Sequence, residues 1–223
     1  SSTVSANTTS GFSIVKYTGT GAIATVGHGL GVTPKMIIAK GLGVVNNWLV
    51  YTSTTGNNKA LALQDSGTGF TGSHLWNDTN PTSSVFSLGA VGATNSSGDE
   101  NIAYCFAEKQ GYSKFGSYTG NGSTDGTFVY TGFKPAFVIT KASSSAGLSW
   151  SMHDNKRLGY NGGDRNVYAN SSNGENTDNA LDLLSNGFKS ISADGSTNSS
   201  GVTYIYMAFA EQPLVGDNPA TAR

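Results

Sequence analysis

An all-β fold in two consecutive halves is what this sequence predicts, and three observations predict it. The 223 residues include 30 glycines and only 12% charged residues, against about 25% in an average domain, so Ser, Thr and Asn carry most of the polarity. The apolar residues, 37% of the chain, come in short bursts rich in Val, Ile, Tyr and Phe between Gly- and Asn-bearing stretches, as strands joined by turns do. A set of anchors also recurs in one order, offset by 101 residues at Tyr17 and Tyr118 and by 103 at Asn95 and Asn198, the signature of an internal repeat.

The anchors run as follows. Tyr17, Thr18 and Gly19 match Tyr118, Thr119 and Gly120; Pro34 with the run 36–40 matches Pro135 with 137–141; Trp48 matches Trp150. Asn95, Ser96, Ser97 and Gly98 match Asn198, Ser199, Ser200 and Gly201, and 103–108 matches 206–211 through a shared Phe-Ala-Glu ending. Residues 1–110 and 111–223 are therefore predicted as two jelly-roll-like β-sandwich repeats, the second with a C-terminal tail.

In the first half, strands are predicted at 12–17, 36–40, 49–52, 61–64, 85–88 and 102–108. The second half gives 113–118, 128–130, 137–141, 150–153, 167–170, 187–190 and 203–211. These runs are too short for most helices. Pro34 and Pro135 precede apolar runs, where a missing donor is tolerated at a strand start, and the Asn-Ser-Ser-Gly segments supply turns. Only 179–184 has helical potential, and it reads equally as a single turn. The opening 1–11 is polar and lacks the charged-then-apolar pattern of a secretory signal; beginning without Met, it reads as an interior cut.

Charge excludes several functions. The formal net charge is −1, and the 13 basic residues form no cluster able to neutralise a run of phosphates, which argues against nucleic acid. No apolar run approaches the 18 or so residues of a membrane-spanning helix. Cys105 is the single cysteine, so no intrachain disulfide forms, and it reads as a buried strand residue.

Reactive constellations are sparse. His28, between two glycines, reads as a turn residue, since the second half has Val129 or Tyr130 there. His74 with Asp78 and His153 with Asp154 fall short of the three or four ligands of a zinc site. Asp164, Asn170, Asn173, Glu175, Asn176, Asp178 and Asn179 supply oxygens of the kind calcium takes, yet read as a solvated loop. There is no Gly-x-Ser-x-Gly elbow, and Glu108 and Glu211 read as strand-terminal partners rather than as a paired acid and base. No catalytic residue, metal or cofactor is expected, and the chain reads as a non-enzyme.

Aromatics are the better handle on binding, because a flat apolar face can stack on a sugar ring. Trp48 and Trp150, at matched positions, read as core. Trp76 has no twin and, with His74 and Asn77, is the expected surface contact; in the second half the corresponding expectation is Tyr160, Asp164, Arg165 and Tyr168.

The stretch Gly11, Phe12, Ser13, Ile14, Val15 with Tyr17, Thr18, Gly19, then Val26, Gly27, His28, Gly29, Leu30, Gly31 and Pro34, Lys35, Met36, Ile37, Ile38, resembles the repeated domain of surface proteins in tailed bacteriophages, marine ones in particular. Residues 103–116, 203–211 and 218–223 are similar to it too, so the resemblance spans nearly the whole chain. It implies a virion structural protein at the virion surface, made in the host cytoplasm. The role expected first is a tail fibre or spike that attaches to host-surface glycan or protein, as a homo-oligomer with a trimer preferred. The alternative is a capsid-decoration or tail-wall protein that contacts only other virion subunits. The resemblance implies no cofactor, nucleic acid or membrane insertion, and no catalytic residues.

Overall fold

The computed structural model describes residues 2–43, 45–157, 161, 165–177 and 180–214. Among these the architecture is all-β and multi-sheet: seventeen strands with three helices of a single turn. The chain divides into two compact units, one of residues 1–63 and 69–108, the other of 64–68 and 109–223. The second unit is thus discontinuous in sequence, which a division at 110 and 111 does not anticipate.

In the first unit, β1 (Ser2–Asn7), β2 (Phe12–Thr18), β3 (Ala24–Gly27), β4 (Met36–Gly41), β5 (Leu49–Thr52), β6 (Lys59–Ala62) and β7 (Phe70–Thr71) are followed by α1 (Ser73–Trp76), β8 (Val85–Leu88), α2 (Gly92–Asn95) and β9 (Glu100–Phe106). The larger sheet has the order β1-β2-β9-β4-β5-β6-β7, and β3 pairs with β8. Alternation does the positioning: in β2, Ser13, Val15 and Tyr17 are buried while the intervening residues face out, as a period of two requires. Val15, Ala103, Ala39 and Leu49 stand side by side across four strands. Against this inner face pack Phe86, Leu88 and Trp76. The opposite face carries an aromatic row, Phe12 against Tyr104 and Phe106, and Trp48 stacked on Tyr104 at 6.5 Å.

A polar clasp holds the end of α2 to the turn after β2. The Tyr17 hydroxyl donates to Thr94 O (2.8 Å). The Asn95 amide donates to Ala22 O and Gly89 O and accepts from Thr20 N. A Cβ on Gly19 would fall on the Ser96 carbonyl, so only glycine fits there.

The second unit contains β10 (Ser113–Thr119), β11 (Phe128–Tyr130), β12 (Pro135–Ala142), β13 (Ser151–Asp154), β14 (Asn166–Tyr168), β15 (Leu181–Leu184), β16 (Gly187–Ser190), α3 (Gly195–Asn198) and β17 (Thr203–Ala210). Its sheets have the orders β10-β17-β12-β13-β14 and β11-β16-β15. The core is aromatic: Tyr118 stacks on Tyr204 at 5.1 Å, and Phe188 meets Tyr118 and Tyr206 edge-on. The Tyr118 hydroxyl donates to Thr197 O (2.7 Å), and Asn198 donates to Ser123 O and Ser192 O while accepting from Asn121 N. The Lys141 ammonium, wholly buried, donates to Leu148 O and to Ser66 O of the 64–68 segment.

Residues 181–184 form a strand paired with β16, where the sequence suggested a helix or a turn. The strands β1, β3 and β7 were also not anticipated. The Asn-Ser-Ser-Gly segments are the ends of α2 and α3, each leading through Gly98 or Gly201 at positive φ into the following strand.

Candidate functional site

Phe70 and His74 form a surface site of the first unit. A groove of about 190 Å³ there is lined by Asn46, Asn47, Phe70, His74 and Val91 over a floor of Leu75 and Ala93. The site is built from the turn between β7 and β8. Gly72 precedes α1 at φ 139, a backbone conformation that disfavours any side chain. A Cβ there would also meet His74 Nδ1 at 2.6 Å. Asn77 ends α1 in the left-handed region at φ 53, its N–H bonded to Ser73 O.

Trp76 is the anchor of this turn and not its contact surface. Expected as an exposed indole, it is 2% exposed. Its Nε1 donates to Lys59 O (3.0 Å), and its ring meets Tyr51 edge-on at 5.8 Å. Leu75 is buried along with the indole, whereas Ser73 and His74, at the start of α1, are exposed. Phe70, 41% exposed, is the aromatic that faces solvent, a residue the sequence reading passed over. The available signal was an isolated aromatic in the Gly- and Ser-rich stretch 65–73. Asn77 serves as the helix cap at the edge of the site and is not among the groove residues.

The groove offers a phenyl face, an imidazole and two amides. Its volume lies below the 300–1,000 Å³ of pockets that enclose drug-sized ligands, so it suits a single ring or side chain of a larger polymer. In the stretch of chain before Asn46, Leu42 and Val45 project into solvent.

In the second unit, Arg165 and Tyr168 are tied to Glu175 and Asn176 in the segment that follows β14. The Glu175 carboxylate takes Arg157 (2.7 Å) on one oxygen and Arg165 (3.1 Å) on the other, and these hydrogen bonds hold its pKa below the usual carboxylate range. Arg157 also pairs with Asp154 (2.7 Å). The Tyr168 hydroxyl accepts from Asn176 Nδ2 (2.8 Å). Both oxygens of Glu175 are thus engaged by guanidinium groups. Tyr160 and Asp164, with Asp178 and Asn179, lie outside the described residues.

Several reactive side chains are interior. His28 is wholly buried; its Nδ1 accepts from Leu30 N and its Nε2 lies 3.2 Å from Thr82 O, and burial lowers its pKa. It is a framework residue in the core and not an open turn. Burial pushes the Cys105 thiol up to about 12, so it is no thiolate at neutral pH. Ser151 Oγ lies 2.9 Å from His153 Nε2 and accepts from Asn166 Nδ2 at 2.6 Å, and all three residues are buried. Trp150 is buried as expected, whereas Trp48 is only half-buried. Glu211 pairs with Lys134 (2.9 Å) and accepts from Asn155 (2.7 Å). Among the described residues, no three His, Cys, Asp or Glu side chains cluster in a metal-binding arrangement, and no helix is long and apolar enough to cross a membrane.

A larger cleft of about 310 Å³ lies beside Tyr17, Thr20, Thr25 and Asn95. Its strongest hydrogen-bonding groups are committed internally, Tyr17 to Thr94 O and Asn95 to three backbone groups, which leaves the Phe70–His74 groove as the better candidate.

A family model described as a domain of unknown function (DUF7483) matches residues 1–213. No curated protein and no solved structure matches the chain.

Proposed function

The chain belongs to the DUF7483 family, and we propose that it is a virion surface module of a tailed bacteriophage that attaches to host-surface glycan through the Phe70–His74 groove. The observation that carries the binding reading is the groove itself. An exposed phenyl ring lies beside two amides and an imidazole, mounted on a turn that a buried tryptophan fixes to the sheet. An apolar face with flanking polar groups is the means by which proteins hold a sugar ring. Support for the virion setting is the resemblance of residues 11–38, 103–116 and 203–211 to phage surface domains.

The two units, in this reading, are diverged copies of one two-sheet sandwich. Supporting it, β2-β9-β4-β5-β6 and β10-β17-β12-β13-β14 share one order. The same clasp also recurs, from Tyr17 and Asn95 in one unit and from Tyr118 and Asn198 in the other. A sandwich that repeats its clasp while varying its loops keeps a rigid frame and changes what it presents.

A second reading, capsid decoration or a tail-wall element, is favoured by Leu42 and Val45, which expose apolar surface as a subunit contact does. Glycan-array binding with host-cell adsorption separates the two. The wild-type chain is expected to bind, and Phe70→Ala to weaken binding at least tenfold while leaving the unfolding transition unchanged. A wild-type chain that binds neither glycan nor cells, or a Phe70→Ala chain that binds as wild type, overturns the attachment reading.

A further inference from the structure

The edge strand β1 presents a second surface, independent of the groove. It pairs on one side only, with β2. All six of its residues are exposed, and none belongs to the core cluster; Val4 and Ala6 lie over Gly29 without being buried by it. Its backbone pairing is the one ladder with β2, to which Ser2 Oγ adds a long hydrogen bond to Gly27 O (3.5 Å).

Native sheets blunt their edges with short strands, charges, prolines or bulges. The other described edges follow that rule: β7 has two residues, β14 and β11 three, β3, β8 and β15 four, and β10 carries Lys114. By contrast β1, with the sequence Ser-Thr-Val-Ser-Ala-Asn, has no charge and no proline, and its register with β2 runs unbroken from Ser2 to Asn7.

We propose that β1 is a pairing edge for β1 of a second copy of this chain, joined antiparallel about a two-fold axis at Val4. An axis perpendicular to the sheet keeps each face with its like. Val4 then meets the partner's Val4 on the face shared with Val15, and Thr3 meets the partner's Ser5 on the face shared with Ile14. Neither strand brings a charge to the seam, and Lys16, opposite Thr3, is already paired with Glu100 (2.6 Å). The second copy supplies the missing ladder, and the exposed Val4 comes to lie within a continuous sheet instead of on its edge. A two-fold contact of this kind is closed, so an unguarded edge ends in a dimer and not in a fibre.

Sedimentation velocity of the full chain over a concentration series tests this, with two double variants. Wild type is expected to dimerise. T3E/S5E, which sets glutamates opposite each other across the seam, is expected to raise the dissociation constant at least tenfold, and T3E/S5K, which sets Glu opposite Lys, to restore it. Near-UV circular dichroism checks that the fold is kept. Where T3E/S5E disturbs the fold, amide exchange in wild type decides: protection of β1 must rise with concentration. A monomeric or trimeric wild type, a T3E/S5E chain that still dimerises, a T3E/S5K chain that does not, or β1 protection independent of concentration overturns the pairing. Phe70 and His74 take no part, so glycan binding stands or falls separately.

Discussion

His28 shows how a single buried base makes stability depend on pH. Its Nδ1 is an acceptor for Leu30 N, which requires that nitrogen to be unprotonated, and Nε2–H is then free to donate to Thr82 O. Burial adds to the preference for the neutral ring and lowers the folded-state pKa below the ordinary 6.5. As pH falls through about 6.5, the unfolded chain takes up the proton first. The stabilisation is complete above that pH and declines as pH drops towards the folded-state value. Denaturant unfolding between pH 7.5 and 4.5 is expected to show this loss, with a slope approaching about 1.4 kcal/mol per pH unit for one proton. His28→Gln keeps the Nε donor position without a titrating group and is expected to flatten that component. An unchanged slope in the variant means that other groups carry the pH dependence.

The clasps at α2 and α3 make the same argument for whole segments. Each one-turn helix buries an asparagine whose amide satisfies backbone groups of two neighbouring loops. Removing one side of such a bond leaves the other without its partner, at about 1–3 kcal/mol where that group is buried. Asn95→Ala leaves Ala22 O, Gly89 O and Thr20 N short of their partner and is expected to cost about 3 kcal/mol by equilibrium unfolding. Asn198→Ala is expected to cost a similar amount, and Asn95→Asp more than Asn95→Ala, because a carboxylate would face two carbonyls. A loss below about 1 kcal/mol in both alanine variants removes the clasp from the list of what holds these segments.

The anchors for α2 and α3 were legible because Asn-Ser-Ser-Gly encodes local backbone shape, and β5, β8, β11 and β16 were read to the residue from their apolar bursts. The strand β1 escaped because it buries nothing, and an exposed Ser/Thr strand has no alternation to see. β15 escaped because Leu-Asp-Leu-Leu carries helix formers that only pairing with β16 overrides. At the site, His74 was legible as a polar residue in a loop. Trp76 was not, since the polarity of its neighbours says nothing about which way a one-turn helix points its last side chain.

The chain cannot be cut at its midpoint without a loss, because residues 64–68 count with the second unit. Within that unit the wholly buried Lys141 ammonium donates to Ser66 O (3.0 Å) as well as to Leu148 O (2.8 Å), and Gly147 N donates to Ser66 O (3.0 Å). A buried ammonium is tolerated only while acceptors surround it. A fragment of residues 109–223 keeps Leu148 but lacks Ser66, so one acceptor of the charge is gone. Hydrogen bonds to charged groups are worth about 1.5–3 kcal/mol, and the fragment is expected to lose that amount relative to the same unit in the full chain. Lys141→Met removes the charge at similar length. It is therefore expected to destabilise the full chain but to stabilise the fragment relative to the unmodified fragment. Urea unfolding of the four proteins gives the comparison; a Lys141→Met effect of the same sign and size in chain and fragment would mean that the 64–68 segment contributes nothing to holding the ammonium.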